Sequence, residues 1–445
     1  MDTPLCDFVR AYAESGAVRL HMPGHKGVPF LGPEALDLTE IPGADVLYHE
    51  KGVLAQSEQN AAALFGSALT HYSAEGSSLC VKAMLVLAMR YAQLRRKKPL
   101  IAAGRNAHKS FLNEAALLGL DVCWLWPGEE ELPLSCTVTP EQLTRVLEEE
   151  RPAAVYLTSP DYLGNRADLP ALADLCHAHG ALLLVDNAHG AYLKFLSPSR
   201  HPLDLGADLC CDSAHKTLPV LTGGAYLHLS ESCPEALRDM VRQAMRLFAG
   251  TSPSYLILQS LDLCNRLLSE GWAEQLRQTA ARLDALKETL RSGGWQLIGD
   301  EPLKLTIAPK SRGYRGGELE GHLEAQGIFC EFADADSLVC MFSPANLEAD
   351  FAALERALTA LPPRAPIGER PPRLRRPERV LPPRRALLAP FETLPVAQCP
   401  GRILAAPTVS CPPAVPILVC GERIDESALA LFAYYGVETC DVVME

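Results

Sequence analysis

The stretch between Ala153 and Asp186 leaves this chain little choice of architecture. Residues 153–159 (AAVYLTS) form an apolar run that ends in hydroxyls. Leu169 to Ala178 has helical periodicity, and Ala181 to Asp186 (ALLLVD) is a second apolar run that ends in a carboxylate. Two buried strands joined by a helical crossover must lie parallel, with the crossover packed right-handedly on one sheet face. From about 54 to 250 the same alternation recurs, with apolar runs ending in polar or glycine-containing turns, and it predicts an α/β core with a mainly parallel sheet.

The remaining pattern suggests further parts. Residues 1–53 read as an N-terminal arm and 54–292 as the large domain. Helical periodicity returns over Pro234 to Leu247 and over Tyr255 to Arg291, the latter long enough to bridge to another domain. Residues 293–361 mix short strands (Gln296 to Ile298, Leu303 to Ile307, Leu338 to Phe342) with helices, as a small α+β domain would. Between 362 and 385 there are eight prolines, eight arginines and two glutamates, a composition that disfavours helix and central strand and reads as a solvated linker. Residues 386–445 read as a C-terminal domain containing another short strand, Val415 to Val419.

Composition narrows the function classes. A formal charge of −13 works against non-specific nucleic-acid binding, and the one basic stretch, 362–385, has no interleaved aromatics on which bases could stack. The first residues lack the basic end and apolar stretch of a signal peptide, and the apolar segment from Leu79 to Leu94 is interrupted by Lys82 and Arg90. A soluble, cytoplasmic protein is expected, with no membrane partner. The 15 cysteines are scattered, several in apolar runs such as Leu209-Cys210-Cys211, so reduced and mostly buried thiols are expected. None shows Cys-x-x-Cys spacing, and His177 and His179 point to different faces of a helix, so no metal site is expected.

Three pieces of sequence converge on one cofactor. Asp186 ends a buried strand, where a carboxylate is costly unless it meets a cation; a protonated pyridine nitrogen is such a partner, and a helix-capping aspartate is the plainer reading. Ser213-Ala214-His215-Lys216-Thr217 follows another strand. Its lysine can form an imine with an aldehyde if its surroundings lower its pKa, and Ser213 and His215 can bind a phosphate, although a lysine alone is usually a solvated surface charge. Glu75-Gly76-Ser77-Ser78 leads into an apolar helix, offering N–H groups, hydroxyls and the positive dipole end to a phosphate, or simply capping a core helix. A phosphate turn, an aspartate-ended strand and a lysine after a further strand, in that order, form the layout of fold-type I pyridoxal-5′-phosphate (PLP) enzymes.

The chain also resembles the ornithine/lysine/arginine decarboxylase family, in a short form without an N-terminal wing domain. The motifs that carry the resemblance are His21-Met22-Pro23-Gly24-His25-Lys26-Gly27, Gly43-Ala44-Asp45-Val46-Leu47, Gly76-Ser77-Ser78 and Arg105-Asn106-Ala107-His108-Lys109-Ser110. They continue with Thr158-Ser159-Pro160, Asp186-Asn187-Ala188-His189-Gly190, Ser213 to Leu218, Thr251-Ser252-Pro253-Ser254-Tyr255, Pro412 to Pro416 and Gly421-Glu422. The resemblance implies an aspartate-aminotransferase-like large domain with a small α+β domain and a tail domain. It implies PLP on Lys216, Asp186 at the pyridine nitrogen, His108 stacked on the ring, and Ser77, Ser78, Ser213 and His215 on the phosphate, with Ala188 beside the cofactor. Ser252 would contribute from a second subunit, which implies a homodimer or a larger homo-oligomer.

The implied reaction is decarboxylation of arginine, lysine or ornithine to its amine. Lys216 or His108 would return the proton to Cα. Glu422 and Asp45 are candidates for the distal carboxylate that a basic substrate needs, each with the alternative of a structural ion pair. Four positions depart from the family pattern: Asn187 for glutamate, Asp161 for threonine, Gly223 for glutamine and Cys420 for proline. They keep open an aminotransferase or lyase on the same scaffold, and a PLP-binding protein without turnover.

Overall fold

The computed structural model describes residues 1–49, 51–128, 131–406, 410–411 and 415–444. In chain order its strands are β1 (Leu69–Ser73), β2 (Leu100–Gly104), β3 (Asp121–Leu125), β4 (Ala154–Thr158), β5 (Leu182–Asp186), β6 (Leu209–Asp212) and β7 (Ala225–Leu229). These are followed by β8 (Gln296–Ile298), β9 (Lys304–Ala308), β10 (Phe332–Ala333), β11 (Leu338–Met341), β12 (Phe391–Pro395), β13 (Ser410–Cys411), β14 (Val415–Pro416) and β15 (Thr439–Val443). The chain divides into two compact units, the first Met1–Leu100, Val146–Ser159 and Asp168–Leu276, the second the remainder.

Five strands of the main sheet lie in the first unit, in the order β1-β7-β6-β5-β4. The expected βαβ unit is present: helix Leu169–Ala178 joins β4 to β5, which pair in parallel from Ala154↔Leu182 to Thr158↔Asp186. β5 and β6 are also parallel, with Asp186 opposite Cys211. β7 runs antiparallel to both β6 and β1. The one helix between β6 and β7, Ala214–Thr217, has four residues, too short to carry the chain back along a sheet face, and the direction reverses. Two reversals restore the original direction in β1. The carboxyl ends of β1, β4, β5 and β6 therefore share one sheet edge, where α/β sheets bind ligands.

Helix Gly76–Leu94 packs on β6 and β7. Val81, Met84, Leu85, Val86 and Leu87 are all buried, as expected of a helix enclosed by core on most sides. The long helical run expected from Tyr255 to Arg291 is two helices, Tyr255–Ser269 and Trp272–Ser292, because Gly271 takes φ +84° between them. Likewise the run from Pro234 to Leu247 breaks into Glu235–Arg238 and Val241–Arg246.

The second unit contains β2 and β3 and an antiparallel sheet in the order β10-β11-β9-β8. Leu305 and Ile307 of β9, with Leu338 of β11, pack against Leu319 of helix Gly316–Glu324 and against Phe351, Leu354 and Leu358 of helix Glu348–Thr359. Another cluster unites Leu404, Leu418, Ile424, Phe432 and Val442 around the β12–β15 ribbon. The strand expected from Val415 to Val419 is confined to β14, since Pro416 has no N–H to extend a ladder, and residues 412–414 of the proline-rich tail motif lie outside the described residues. The stretch 362–385 is largely irregular but anchored within this unit: Arg364 N donates to Arg312 O and Ile367 N to Lys310 O, at 3.1 and 3.0 Å. Its last residues enter helix Pro383–Leu387, which starts on a proline, the one helical position where the missing N–H costs nothing.

Candidate active site

The three sequence pieces within the first unit arrive at its one sheet edge. Asp186 is the last residue of β5 and only 4% exposed. Its Oδ2 accepts from Tyr156 Oη at 2.8 Å and its Oδ1 from Ala188 N at 3.2 Å, with Cys211 Sγ 3.6 Å from Oδ1. Among the described residues this carboxylate has neutral donors and no cationic partner. Burial, then the adjacent Asp186 charge, pushes the Tyr156 hydroxyl well above the ordinary tyrosine range, so it remains a donor.

Ser213 Oγ donates to Ser77 Oγ at 2.6 Å, bringing together two of the hydroxyls expected to hold a phosphate. Ser77 and Ser78 sit in the first turn of the helix Gly76–Leu94, where backbone N–H groups have no helical acceptor. Gly76 N donates to Gly223 O at 2.7 Å, which fixes this turn. Gly223 has φ +98°, and a Cβ there would lie 3.1 Å from the Ala74 carbonyl oxygen, so the departure from glutamine follows from the backbone this turn adopts.

Lys216 lies in the short helix Ala214–Thr217, its side chain exposed and its Nζ 2.9 Å from His189 Nε2. His215 presents Nδ1 to Gly224 O at 3.0 Å, leaving Nε2 as the ring atom for a phosphate. Burial, and to a smaller degree the Lys216 charge, lowers the His215 pKa, so without an anion the ring is neutral with its proton on Nδ1, and Nε2 becomes a donor to a phosphate only when the ring is protonated. Ser252 is exposed just before the helix Tyr255–Ser269, and its side chain has no hydrogen-bond partner among the described residues. His108 belongs to the second unit, where it caps helix Lys109–Leu118, its Nδ1 accepting from Ser110 N at 3.2 Å.

Sequence reasoning missed several residues here. Tyr156 lies in an apolar run whose pattern marks only a buried strand. His189 lies in the motif Asp186 to Gly190, where no local pattern marks a role for it. Asp212, at the end of β6, is fully buried: its Oδ1 accepts from Asn187 Nδ2 at 2.7 Å, and its Oδ2 lies 3.0 Å from His201 Nε2 and 3.3 Å from His228 Nε2. The available signal was a second carboxylate ending an apolar strand, in ADLCCDS. His201, Cys210 and Asp212 place potential ligand atoms within 4.8 Å of one another. His201 Nδ1 accepts from Leu203 N at 3.4 Å, however, so Nε2 carries the proton and has no lone pair for a metal.

Both candidates for the distal carboxylate have partners within the protein. Asp45 accepts from Val46 N at 2.8 Å and from Leu54 N at 3.2 Å, the latter at the start of the helix Val53–Phe65. Glu422 is buried against Arg105, Oε2 to Nη2 2.7 Å, with Arg105 also 4.9 Å from the ring centroids of Trp124 and Trp126. Burial raises the Glu422 pKa and Arg105 works against that rise. Asp161, the departure from threonine, is a structural acceptor for Ser135 Oγ at 2.7 Å and for Asn165 N at 2.8 Å. Cys420 is buried in an apolar cluster with Ala116 and Ala386. Every cysteine whose side chain is described is a free thiol. Among the described residues no helix is long and apolar enough to cross a membrane.

Comparison with known proteins gives a consistent grouping. Residues 3–296 match the family model described as Orn/Lys/Arg decarboxylase, major domain. An uncharacterized protein, YaaO, from Bacillus subtilis is 30% identical over 460 residues, covering 96% of this chain and 93% of its own. An arginine decarboxylase of the same organism is 30% identical over 464 residues, covering 96% and 92%. Among solved structures, lysine decarboxylase A from Pseudomonas aeruginosa superposes with a TM-score of 0.81, at 17% identity, covering 99% of this chain and 80% of its own, which speaks to the fold.

Proposed function

Because the chain belongs to the Orn/Lys/Arg decarboxylase family, we propose that it decarboxylates a basic amino acid, arginine foremost, with PLP carried on Lys216. The observation that supports this most is the buried carboxylate of Asp186 at the carboxyl edge of the sheet, which has neutral donors and, among the described residues, no cation of its own. A protonated pyridine nitrogen completes it. The paired hydroxyls of Ser77 and Ser213, the N–H groups opening the helix Gly76–Leu94 and, with the ring protonated by the phosphate's charge, Nε2–H of His215 suit a phosphate. The residues present therefore fit the cofactor that this family implies.

PLP bound there supplies the electron sink for the electron pair left on Cα as carbon dioxide departs. The protein's part is to hold, orient and shuttle protons. Tyr156 fixes Asp186 in one rotamer, so that its charge is preorganised. His189 Nε2, hydrogen-bonded to Lys216 Nζ, can take the ammonium proton and leave a neutral, nucleophilic amine. Lys216 or His108 would be the group that returns a proton to Cα. By the family pattern His108 stacks on the ring and Ala188 lies beside it.

Arginine is put first because the arginine decarboxylase of Bacillus subtilis aligns over nearly the full length of both chains. A homodimer is part of the proposal. Val18, Leu20, Phe30 and Leu31 of the N-terminal arm are 72–89% exposed, a dense apolar stretch that a second copy would cover, and Ser252 is exposed to reach a neighbouring site. The free thiols suit a reducing, cytoplasmic compartment.

The test is to load the purified protein with PLP, add arginine, lysine and ornithine separately, and follow carbon dioxide and amine. Release from arginine, with the matching amine, is expected. Dependence on an added keto acid would instead make the protein an aminotransferase. Bound cofactor with no release from any amino acid would make it a binding protein.

A further inference from the structure

Two buried polar residues flank the proposed cofactor anchors and take no part in the chemistry above. Asn187 follows Asp186, and Asp212 precedes Ser213; both have no exposed surface. Asn187 N donates to Cys211 O at 3.0 Å, adding one rung to the β5–β6 ladder, and Nδ2 then donates to Asp212 Oδ1 at 2.7 Å. The other oxygen of Asp212 is held by His201 Nε2 at 3.0 Å and lies 3.3 Å from His228 Nε2, which is itself anchored through Nδ1 to Thr70 Oγ1 at 2.7 Å. Burial opposes ionisation of Asp212, but the two histidines more than offset it and hold its carboxyl below the usual carboxylate range.

The charge on Asp212 dictates which end of the Asn187 amide can face it. Only the N–H₂ group can, so Oδ1 points the other way, where it is buried without a hydrogen-bond partner among the described residues. Gly190 makes the room: a Cβ there would sit 2.0 Å from Asn187 Oδ1. A glutamate at 187, as the family pattern has it, would bring a second carboxylate up to Asp212, an unfavourable like-charge pair.

We propose that Asn187 is a positioning residue for the cofactor site: its amide, locked on Asp212, fixes the separation of the strand ends that carry Asp186 and the Ser213–Lys216 turn. This rests on the assignment of those residues to the cofactor. One end of the lock is held independently of Asn187, because Asp212 Oδ2 is also hydrogen-bonded to His201 Nε2 and lies 3.3 Å from His228 Nε2. Asn187 transmits that position to the residue immediately before it. A shift of the order of 1 Å between Asp186 and Lys216 would prevent one ring from satisfying both.

The test compares PLP dissociation constants, by titration of the cofactor's absorption band, with melting temperatures of the cofactor-free proteins. The variants are Asn187→Ala, Asn187→Asp, the swapped pair Asn187→Asp/Asp212→Asn, and Val9→Ala as a core change in the helix Pro4–Glu14, away from the anchors. Asn187→Ala is expected to weaken PLP binding at least tenfold and Asn187→Asp further. The swapped pair restores the amide–carboxylate contact and should recover most of the loss seen in Asn187→Asp. Val9→Ala should lower the melting temperature with PLP binding unchanged. Should Asn187→Asp fail to fold, Asn187→Ala decides alone. PLP binding by Asn187→Ala within twofold of the parent, or weakened only as much as in a Val9→Ala protein of equal melting temperature, overturns the positioning role while leaving the cofactor assignment intact. A parent that binds no PLP overturns both.

Discussion

Tyr156 and Asp186 stand on neighbouring parallel strands, and the hydroxyl of the first donates to Oδ2 of the second at 2.8 Å, fully inside the sheet. The contact ties the orientation of the proposed cofactor-facing carboxylate to the packing of β4. A hydrogen bond to a charged group contributes about 1.5–3 kcal/mol. Tyr156→Phe preserves the ring and removes only the hydroxyl, so the sheet should survive while Asp186 gains freedom. PLP binding is expected to weaken roughly tenfold, in proportion to about 1.4 kcal/mol. Titration of the cofactor band checks it, and binding within twofold of the parent would show that the hydroxyl does not orient Asp186.

The Arg105–Glu422 pair should behave as a structural ion pair. Both side chains are 5% exposed and their contact is 2.7 Å. Removing one partner strands a buried charge, which typically costs about 3–5 kcal/mol. Glu422→Leu should therefore lower stability strongly in urea unfolding, and Arg105→Met/Glu422→Leu should recover most of the loss. A Glu422→Leu protein as stable as the parent would mean that water reaches Arg105.

Asp334 gives a pH dependence with a definite sign. Burial foremost, with the charge of Asp336, raises its pKa from 3.8 to about 6. The folded state thus binds the proton more tightly than the unfolded one. This group's contribution to stability falls as pH rises from about 4 to about 6 and is level outside that window. Asp334→Asn retains an acceptor for the N–H groups of Asp336 and Ser337, which now donate to Oδ1 at 2.7 Å each. It should gain on the order of 1–2 kcal/mol at pH 7 relative to the parent and no advantage near pH 4. Denaturant midpoints at the two pH values check this, and an equal change at both would contradict it.

Much of this was legible in the sequence because burial leaves a plain trace. The βαβ unit was readable from uninterrupted apolar runs, and helix Leu169–Ala178 falls where its periodicity placed it. Ser77 and Ser213 were legible as hydroxyl residues beside strand ends within motifs that match the family, and they meet at 2.6 Å. What escaped were contacts that depend on register. Tyr156 reaches Asp186 only because β4 and β5 align Thr158 with Asp186, and no local pattern encodes that pairing. Asp212 was hidden because its partners, His201, His228 and Asn187, are scattered in sequence. The Gly271 break was missed for a different reason, since one glycine inside a long apolar periodicity is easily read through.

The central claim is that Lys216 carries the cofactor, and covalent mapping tests it most directly. The protein loaded with PLP is reduced with borohydride, digested, and its peptides weighed. The account predicts one phosphopyridoxyl adduct, on the peptide containing Lys216, absent from Lys216→Ala, with carbon dioxide release from arginine lost in the same variant. An adduct on another lysine, or an unchanged adduct in Lys216→Ala, would contradict it.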